Sequence, residues 1–199
     1  MDLQTAYNKK RELIAKRLKN FKCVEDQDRF YELCFCLLTP QSKGRQADRA
    51  VQELKSKNFK SNPFHAASLL RRYIRFHHTK AARLLEAQQN YKAWFNELDS
   101  LPTAEEKRLY LLQNVKGFGL KEASHFLRNT GHENLAILDR HILKNLQTLK
   151  VIDEVPKTLT SKKYFEIEEK FINYSKKIKI PMDHLDLLFW SLETGEVFK

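Results

Sequence analysis

Glycine is scarce in this sequence, with five in 199 residues. Two of the five, Gly117 and Gly119, stand one residue apart, so backbone freedom is concentrated at one place. Cysteine is scarcer: Cys23, Cys34 and Cys36 are the whole set, and none follows position 36. An iron–sulfur or zinc cysteine cluster in the C-terminal part is therefore excluded. Cys34 and Cys36 lie in an apolar run and are expected to be buried, reduced thiols. No run of about 18 apolar residues occurs, so no membrane-spanning helix is expected. The opening "MDLQTAYNKKRELIAKRLKNF" lacks the apolar region of a signal peptide, and a cytoplasmic location is expected. His77, His78 and the other histidines show no metal-binding spacing, so no catalytic metal is expected.

Positive charge is what the chain has in surplus. Lys and Arg number 36 against 25 Asp and Glu, a formal net charge of +11 with a pI near 9.5. Such a surplus points to a polyanionic partner, usually nucleic acid. The competing account is a heavily charged solvated surface of the kind found in heat-adapted proteins. Apolar residues at 42% and charged residues at 31% are a globular balance.

Periodicity is helical nearly throughout. Leu3, Tyr7, Ile14, Leu18 and Phe21 repeat every three to four residues, and so do Phe30, Leu33, Cys34, Leu37 and Leu38. The second helix should stop near "TPQS", because the residue before a proline avoids the α region. Further helices are predicted over Arg45–Leu54, from "SNPFHAASLL" onward, over Thr79–Phe95, from the Thr103/Glu106 capping box onward, over Lys162–Tyr174 and over Met182–Leu192. No strand pattern longer than about four residues competes. The expected class is all-α, with two helical lobes and a cleft between them. The C-terminal segment could join either lobe.

"NVKGFGLKEASHFLRN", residues 114–129, has the form of helix, short glycine turn, helix. The first helix should end near Asn114, the second should start at Leu120, and Gly131 can supply its left-handed stop. Such a turn presents backbone N–H groups and a helix N-terminus, which suits a phosphate and needs no base sequence. A plain αα-hairpin is the other reading. Downstream, "AILDRHILKNL" places Asp139 as the N-cap of a further helix. Lys121 and Asp139 are 18 residues apart, one helix plus a short loop. Antiparallel geometry could return the aspartate towards the lysine. A partly desolvated lysine is a nucleophile that forms Schiff bases with aldehyde carbons, and a carboxylate can stabilise a cationic sugar or move protons.

The stretch Val115–Leu146 resembles the helix-hairpin-helix and aspartate motif of the DNA glycosylase superfamily. "GHENLAILD" stands where that motif commonly has a Gly/Pro-rich loop. "GFGLKEASHFLRN", "AILDRHIL", "IDEVPKTL" and "LDLLFWSLETGEVFK" together resemble the archaeal-type 8-oxoguanine DNA glycosylase/AP lyase, the second Ogg type. The likeness is densest from about residue 107 onward and extends back to "RFYELCFCLLTPQS". The motif-bearing segment is 105–146, and the whole chain would be one glycosylase unit with two helical subdomains.

The resemblance implies the site. Lys121 matches the Schiff-base nucleophile and Asp139 the catalytic aspartate. Lys199 matches a terminal lysine whose carboxylate would accept the N7–H that 8-oxoguanine has and guanine lacks. Phe76 and Trp190 match the aromatic pair that sandwiches the extruded base, although a core tryptophan would also suit Trp190's apolar helix. Val197 is the residue expected to anchor the tail. Lys116, Gly117, Gly119, Arg140 and His141 are implied in the DNA grip, and Gln41 and Ser42 in the loop that fills the gap left by a flipped base. The carbonyls of Gln113, Val115 and Phe118 could hold a monovalent cation. The implied partner is double-stranded DNA carrying 8-oxoguanine or abasic sites, bound by a monomer in the nucleoid, with no membrane and no cofactor. Two alternatives stay open: a non-catalytic helix-hairpin-helix DNA-binding module, and a glycosylase/lyase for another damaged base.

Overall fold

The computed structural model describes residues 2–199. Ten α-helices and no strand occur among the described residues. In chain order they begin with α1 (Leu3–Lys22), α2 (Asp26–Leu38), α3 (Gly44–Ser56), α4 (Ala67–Leu70) and α5 (His77–Ser100). There follow α6 (Ala104–Asn114), α7 (Leu120–Asn129), α8 (Arg140–Thr148), α9 (Ser161–Ile178) and α10 (Met182–Thr194). None is long and apolar enough to cross a membrane.

Local chemistry sets the helix ends. Asp2 caps α1 by accepting the Thr5 N–H, and Thr160 caps α9 by accepting that of Lys163. The capping box forms as expected: the Glu106 N–H donates to Thr103 Oγ1 and the Thr103 N–H to Glu106 Oε2. The end of α7 is a Schellman turn at Gly131 (φ +90°), where His132 N–H reaches Leu127 O and Gly131 N–H reaches Arg128 O. "SNPFHAASLL" behaves differently from expectation. Pro63 starts no helix, and only Ala67–Leu70 are helical. Asn58 takes a left-handed conformation, Asn62 precedes the proline, and Phe64 packs edge-on against Phe59, which fixes a turn instead.

Two compact units divide the chain, and the boundary falls inside α7. One is Val24–Phe126. There α2 packs on α3 and α5, with Phe30 stacked on Phe59 and Phe95 stacked on Phe126. The other joins the segment up to Cys23 with Leu127–Lys199, so the C-terminal part shares a core with the first helix. In it α10 lies against α1, α8 and α9. Leu185, Leu187, Leu188 and Phe189 of α10 are buried almost all round, and Phe171 stacks on Phe189. Burial of this kind stabilises by roughly 1.5–3 kcal/mol per large side chain. Cys34 and Cys36 are buried free thiols, as expected, while Cys23 is exposed. Burial pushes the Cys34 thiol up, which leaves it inert at neutral pH.

Candidate active site

The hairpin between α6 and α7 turns on one positive-φ glycine. Gly117 has φ +98°, and a Cβ there would lie 2.6 Å from Arg83 Nη1. Only glycine fits both conditions. Gly119 does not use its freedom in this way, since its φ is not left-handed. Its N–H donates to Glu122 Oε2 at 3.1 Å. The hairpin thus differs from the expectation of open N–H groups: the Gly119 amide, like that of Phe118, is already paired. The same carboxylate holds the lysine, with Lys121 Nζ 3.0 Å from Glu122 Oε1. Lys121 sits in the first turn of α7 with 23% of its side chain exposed, reachable yet partly desolvated.

Asp139 sits at the N-terminus of α8 and accepts the Ile142 N–H through Oδ1 at 2.8 Å. The segment before it carries no Gly/Pro-rich loop and is fixed by other means. Leu135, Ala136, Ile137 and Leu138 are all buried. The Ala136 N–H donates to Glu168 Oε1 at 2.7 Å, and Tyr164 Oη donates to the Ala136 carbonyl. The Leu138 N–H also donates to Tyr164 Oη, so an apolar plug with three buried polar ties to α9 sets where α8 begins. Arg128 Nη1 pairs with Asp186 Oδ2 at 3.3 Å in the same unit. Burial pushes the Asp186 carboxyl up to about 7, opposed by Arg128 and reinforced by the charges of Asp139 and Asp183.

The remaining predicted residues fall into local groups. Gln41 and Ser42 lie in the turn between α2 and α3, with Gln41 left-handed at φ +54°. Phe76, at the N-terminus of α5, is left-handed at φ +57° and 58% exposed. Trp190 is half-buried on α10, with its ring edge-on to His141, the centroids 5.5 Å apart at 90°. His141 is held in turn by Glu193, and Trp190 Nε1 is buried with no acceptor. Arg140, beside Asp139, is exposed, as is Lys116 in the hairpin. Gln113 is in the last turn of α6, Val115 O accepts the Phe118 N–H at 3.0 Å, and both Val115 and Phe118 side chains are buried. Near the end of the chain the anchor is Phe198, which is buried, and not Val197. Arg17 Nε donates to the Phe198 carbonyl, and Lys199 Nζ lies over the Phe198 ring.

Three residues at the site carry no motif that marks them in the sequence. Glu122 follows the lysine and reads as an ordinary first-turn acid. Arg83, packed against Gly117, reads as a solvated helix residue. Lys80 left a visible trace, because it stands on the buried stripe of α5 with Ala81, Leu84 and Ala87. Its Nζ donates to Leu38 O and Pro40 O, both at 2.7 Å, and to Ser42 Oγ at 3.0 Å.

An all-helical chain with a glycine hairpin between two helices, followed by an aspartate-capped helix, has the fold of the helix-hairpin-helix DNA glycosylases. The sequence matches the family described as 8-oxoguanine DNA glycosylase over residues 14–180. An 8-oxoguanine DNA glycosylase/AP lyase of Fusobacterium nucleatum is 44% identical, covering 100% of this chain and 96% of its own. The Methanocaldococcus jannaschii protein of the same name is 36% identical over 95% of this chain and 93% of its own. The crystal structure of the M. jannaschii glycosylase/lyase in complex with a 15mer DNA containing 8-oxoguanine superposes with a TM-score of 0.87 at 32% identity, covering 100% of both chains. The 8-oxoguanine DNA glycosylase of Thermotoga maritima gives 0.87 at 32% identity, covering 99% of this chain and 96% of that one. The chain belongs to the 8-oxoguanine DNA glycosylase family.

Proposed function

We propose that the chain excises 8-oxoguanine from DNA and nicks the resulting abasic site by β-elimination, with Lys121 as nucleophile and Asp139 as its acidic partner. The whole chain works as one glycosylase unit, a monomer on duplex DNA in the nucleoid. The observation that carries the assignment is the setting of Lys121. It follows the glycine hairpin at once, in the first turn of α7, with its side chain partly exposed and its Nζ held at 3.0 Å by Glu122.

The surplus of 36 basic over 25 acidic residues supports binding mainly to phosphates, so affinity falls with salt. The hairpin residues Lys116, Gly117 and Gly119, together with Arg140 and His141, grip the backbone. The damaged nucleotide is flipped at a cost of a few kcal/mol. Gln41 and Ser42 fill its place. Phe76 and Trp190 offer aromatic faces to the base, and Lys199 reads its oxidised edge. Exposure of the Phe76 ring and the unpaired Trp190 N–H support these roles. Lys121 Nζ bonds to C1′ as the C1′–N9 bond breaks, and the base leaves with the bond pair. Asp139 stabilises positive charge on the sugar and takes a proton from the lysine. The C1′–O4′ bond then opens, with O4′ taking a proton, to leave a C1′=Nζ imine, which acidifies the 2′ hydrogen, whose loss expels the 3′ phosphate.

Borohydride trapping on a duplex with one 8-oxoguanine tests this reading. Wild type should give a covalent adduct and Lys121→Gln none, with DNA binding retained. An adduct in both would move the nucleophile to another amine. Binding without adduct in either would favour a helix-hairpin-helix binding module.

A further inference from the structure

Lys80 is costly where it stands. It is 2% exposed, and it lies in the first turn of α5, where the helix dipole disfavours a cation. Burial, with Arg83 and Lys121 nearby, pushes its ammonium down to about 8. The compensation comes from another element. Pro40 stops α2, and the last turn of that helix has no basic residue of its own. The Leu38 and Pro40 carbonyls and Ser42 Oγ all converge on Lys80 Nζ. All three donors of the ammonium are thereby used.

What the ammonium joins is not neutral ground. On one side is the turn carrying Gln41, left-handed at φ +54°. On the other is the start of α5, where the Lys80 N–H donates to the carbonyl of Phe76, itself left-handed at φ +57° and 58% exposed. Non-glycine residues hold such angles only where their surroundings impose them. Exposed Arg71 and Arg75 precede Phe76 and give this edge the charge to meet a phosphate backbone, while Arg72 between them is ion-paired with Glu53.

We propose that Lys80 is a positioning residue that rivets the Gln41–Ser42 turn to the Phe76 end of α5, so that both enter the DNA as one preset edge when a base is extruded. A helix C-cap alone would need no such burial, since a surface lysine supplies one. The inference rests on the glycosylase reading above. It assigns Lys80 to base extrusion and not to the Schiff-base chemistry.

The test compares two substrates with wild type, Lys80→Met and Lys80→Gln. One is duplex DNA with a single 8-oxoguanine beside 2-aminopurine, which must be opened. The other is a single strand with a preformed abasic site, which needs no extrusion. Lys80→Met should cut single-turnover excision from the duplex by about 10- to 100-fold and remove the 2-aminopurine fluorescence rise. Borohydride trapping on the abasic strand should stay within about threefold of wild type. Lys80→Gln, whose amide can still serve part of the acceptor set, should fall between them and answers the case in which Lys80→Met does not fold. Parallel losses on both substrates in a folded variant, or no loss on either, overturn the inference. Failure of wild type to trap on abasic DNA would instead sink the glycosylase reading.

Discussion

Arg17 on the first helix donates its Nε–H to the carbonyl oxygen of Phe198, 181 positions along the chain. Phe198 is buried, so Lys199 is carried on a fixed stem. If Lys199 reads the oxidised base, its placement depends on this bond. Arg17→Ala should lower the preference for 8-oxoguanine over guanine by about 10-fold, the range expected when one hydrogen-bonded recognition element is loosened. Deletion of Lys199 should cost at least as much. Competition between oxidised and unmodified duplexes checks both, and an unchanged preference in the two variants would remove the tail from base recognition.

Asp139 caps α8, and the proposed mechanism gives it a catalytic role as well; one pair of substitutions separates the two. As an N-cap it accepts the Ile142 N–H, and asparagine caps about as well. Asp139→Asn should therefore keep stability within about 0.5 kcal/mol while slowing adduct formation by about 100-fold or more. Asp139→Ala should lose the same activity and about 1 kcal/mol of stability besides. Urea unfolding beside single-turnover trapping reads the two effects. Full activity in Asp139→Asn would leave the residue only its structural role.

The two hairpin glycines should not respond alike. Gly117→Ala meets both a left-handed φ of +98° and the Arg83 side chain, with Nη1 2.6 Å from the new Cβ. It should cost about 1–3 kcal/mol and weaken DNA binding through a displaced hairpin. Gly119→Ala meets only the end of the Glu122 side chain, Oε2 at 3.1 Å, in an ordinary backbone conformation, and should cost less. Denaturation midpoints and salt-matched affinities for undamaged duplex decide the order; equal costs would mean that the turn relaxes freely.

Much of this was legible in the sequence because it is local. The capping box at Thr103, the stop at Gly131, the Asp139 cap and nine of the ten helices follow from residues within four or five positions of each other. The exception, α4, shows why: Asn62 and Pro63 read as a helix start, but the packing of Phe64 on Phe59 holds a turn. Lys80 shows in the sequence only as a lysine on the buried stripe of α5, and its partners were illegible for a related reason. Its acceptors lie 38 to 42 positions away, and only the folded chain brings them to one ammonium. The choice of Phe198 over Val197 as anchor is likewise decided by α1, not by the tail's own pattern. Glu122 was hidden by its double use, since nothing in the pattern "GLKE" says that one carboxylate serves both the Gly119 amide and the Lys121 ammonium.

Asp186 gives the chain an unusual pH response. Its carboxyl lies near 7 in the folded state because burial penalises the charged form, with Asp139 and Asp183 adding repulsion and Arg128 pulling the other way. The reference value is 3.8. Between those values the folded chain holds a proton that the unfolded chain has released. The contribution of this group to stability therefore falls as pH rises from about 4 to about 7, and the penalty is complete above that window. Asp186→Asn cannot titrate and should be free of this slope. The stability difference, wild type minus variant, should decline by on the order of 2–4 kcal/mol across the window. Urea midpoints for both proteins at several pH values measure it. A difference that rises with pH would show that ionised Asp186, paired with Arg128 at 3.3 Å, is the favoured form and that the ion pair outweighs its desolvation.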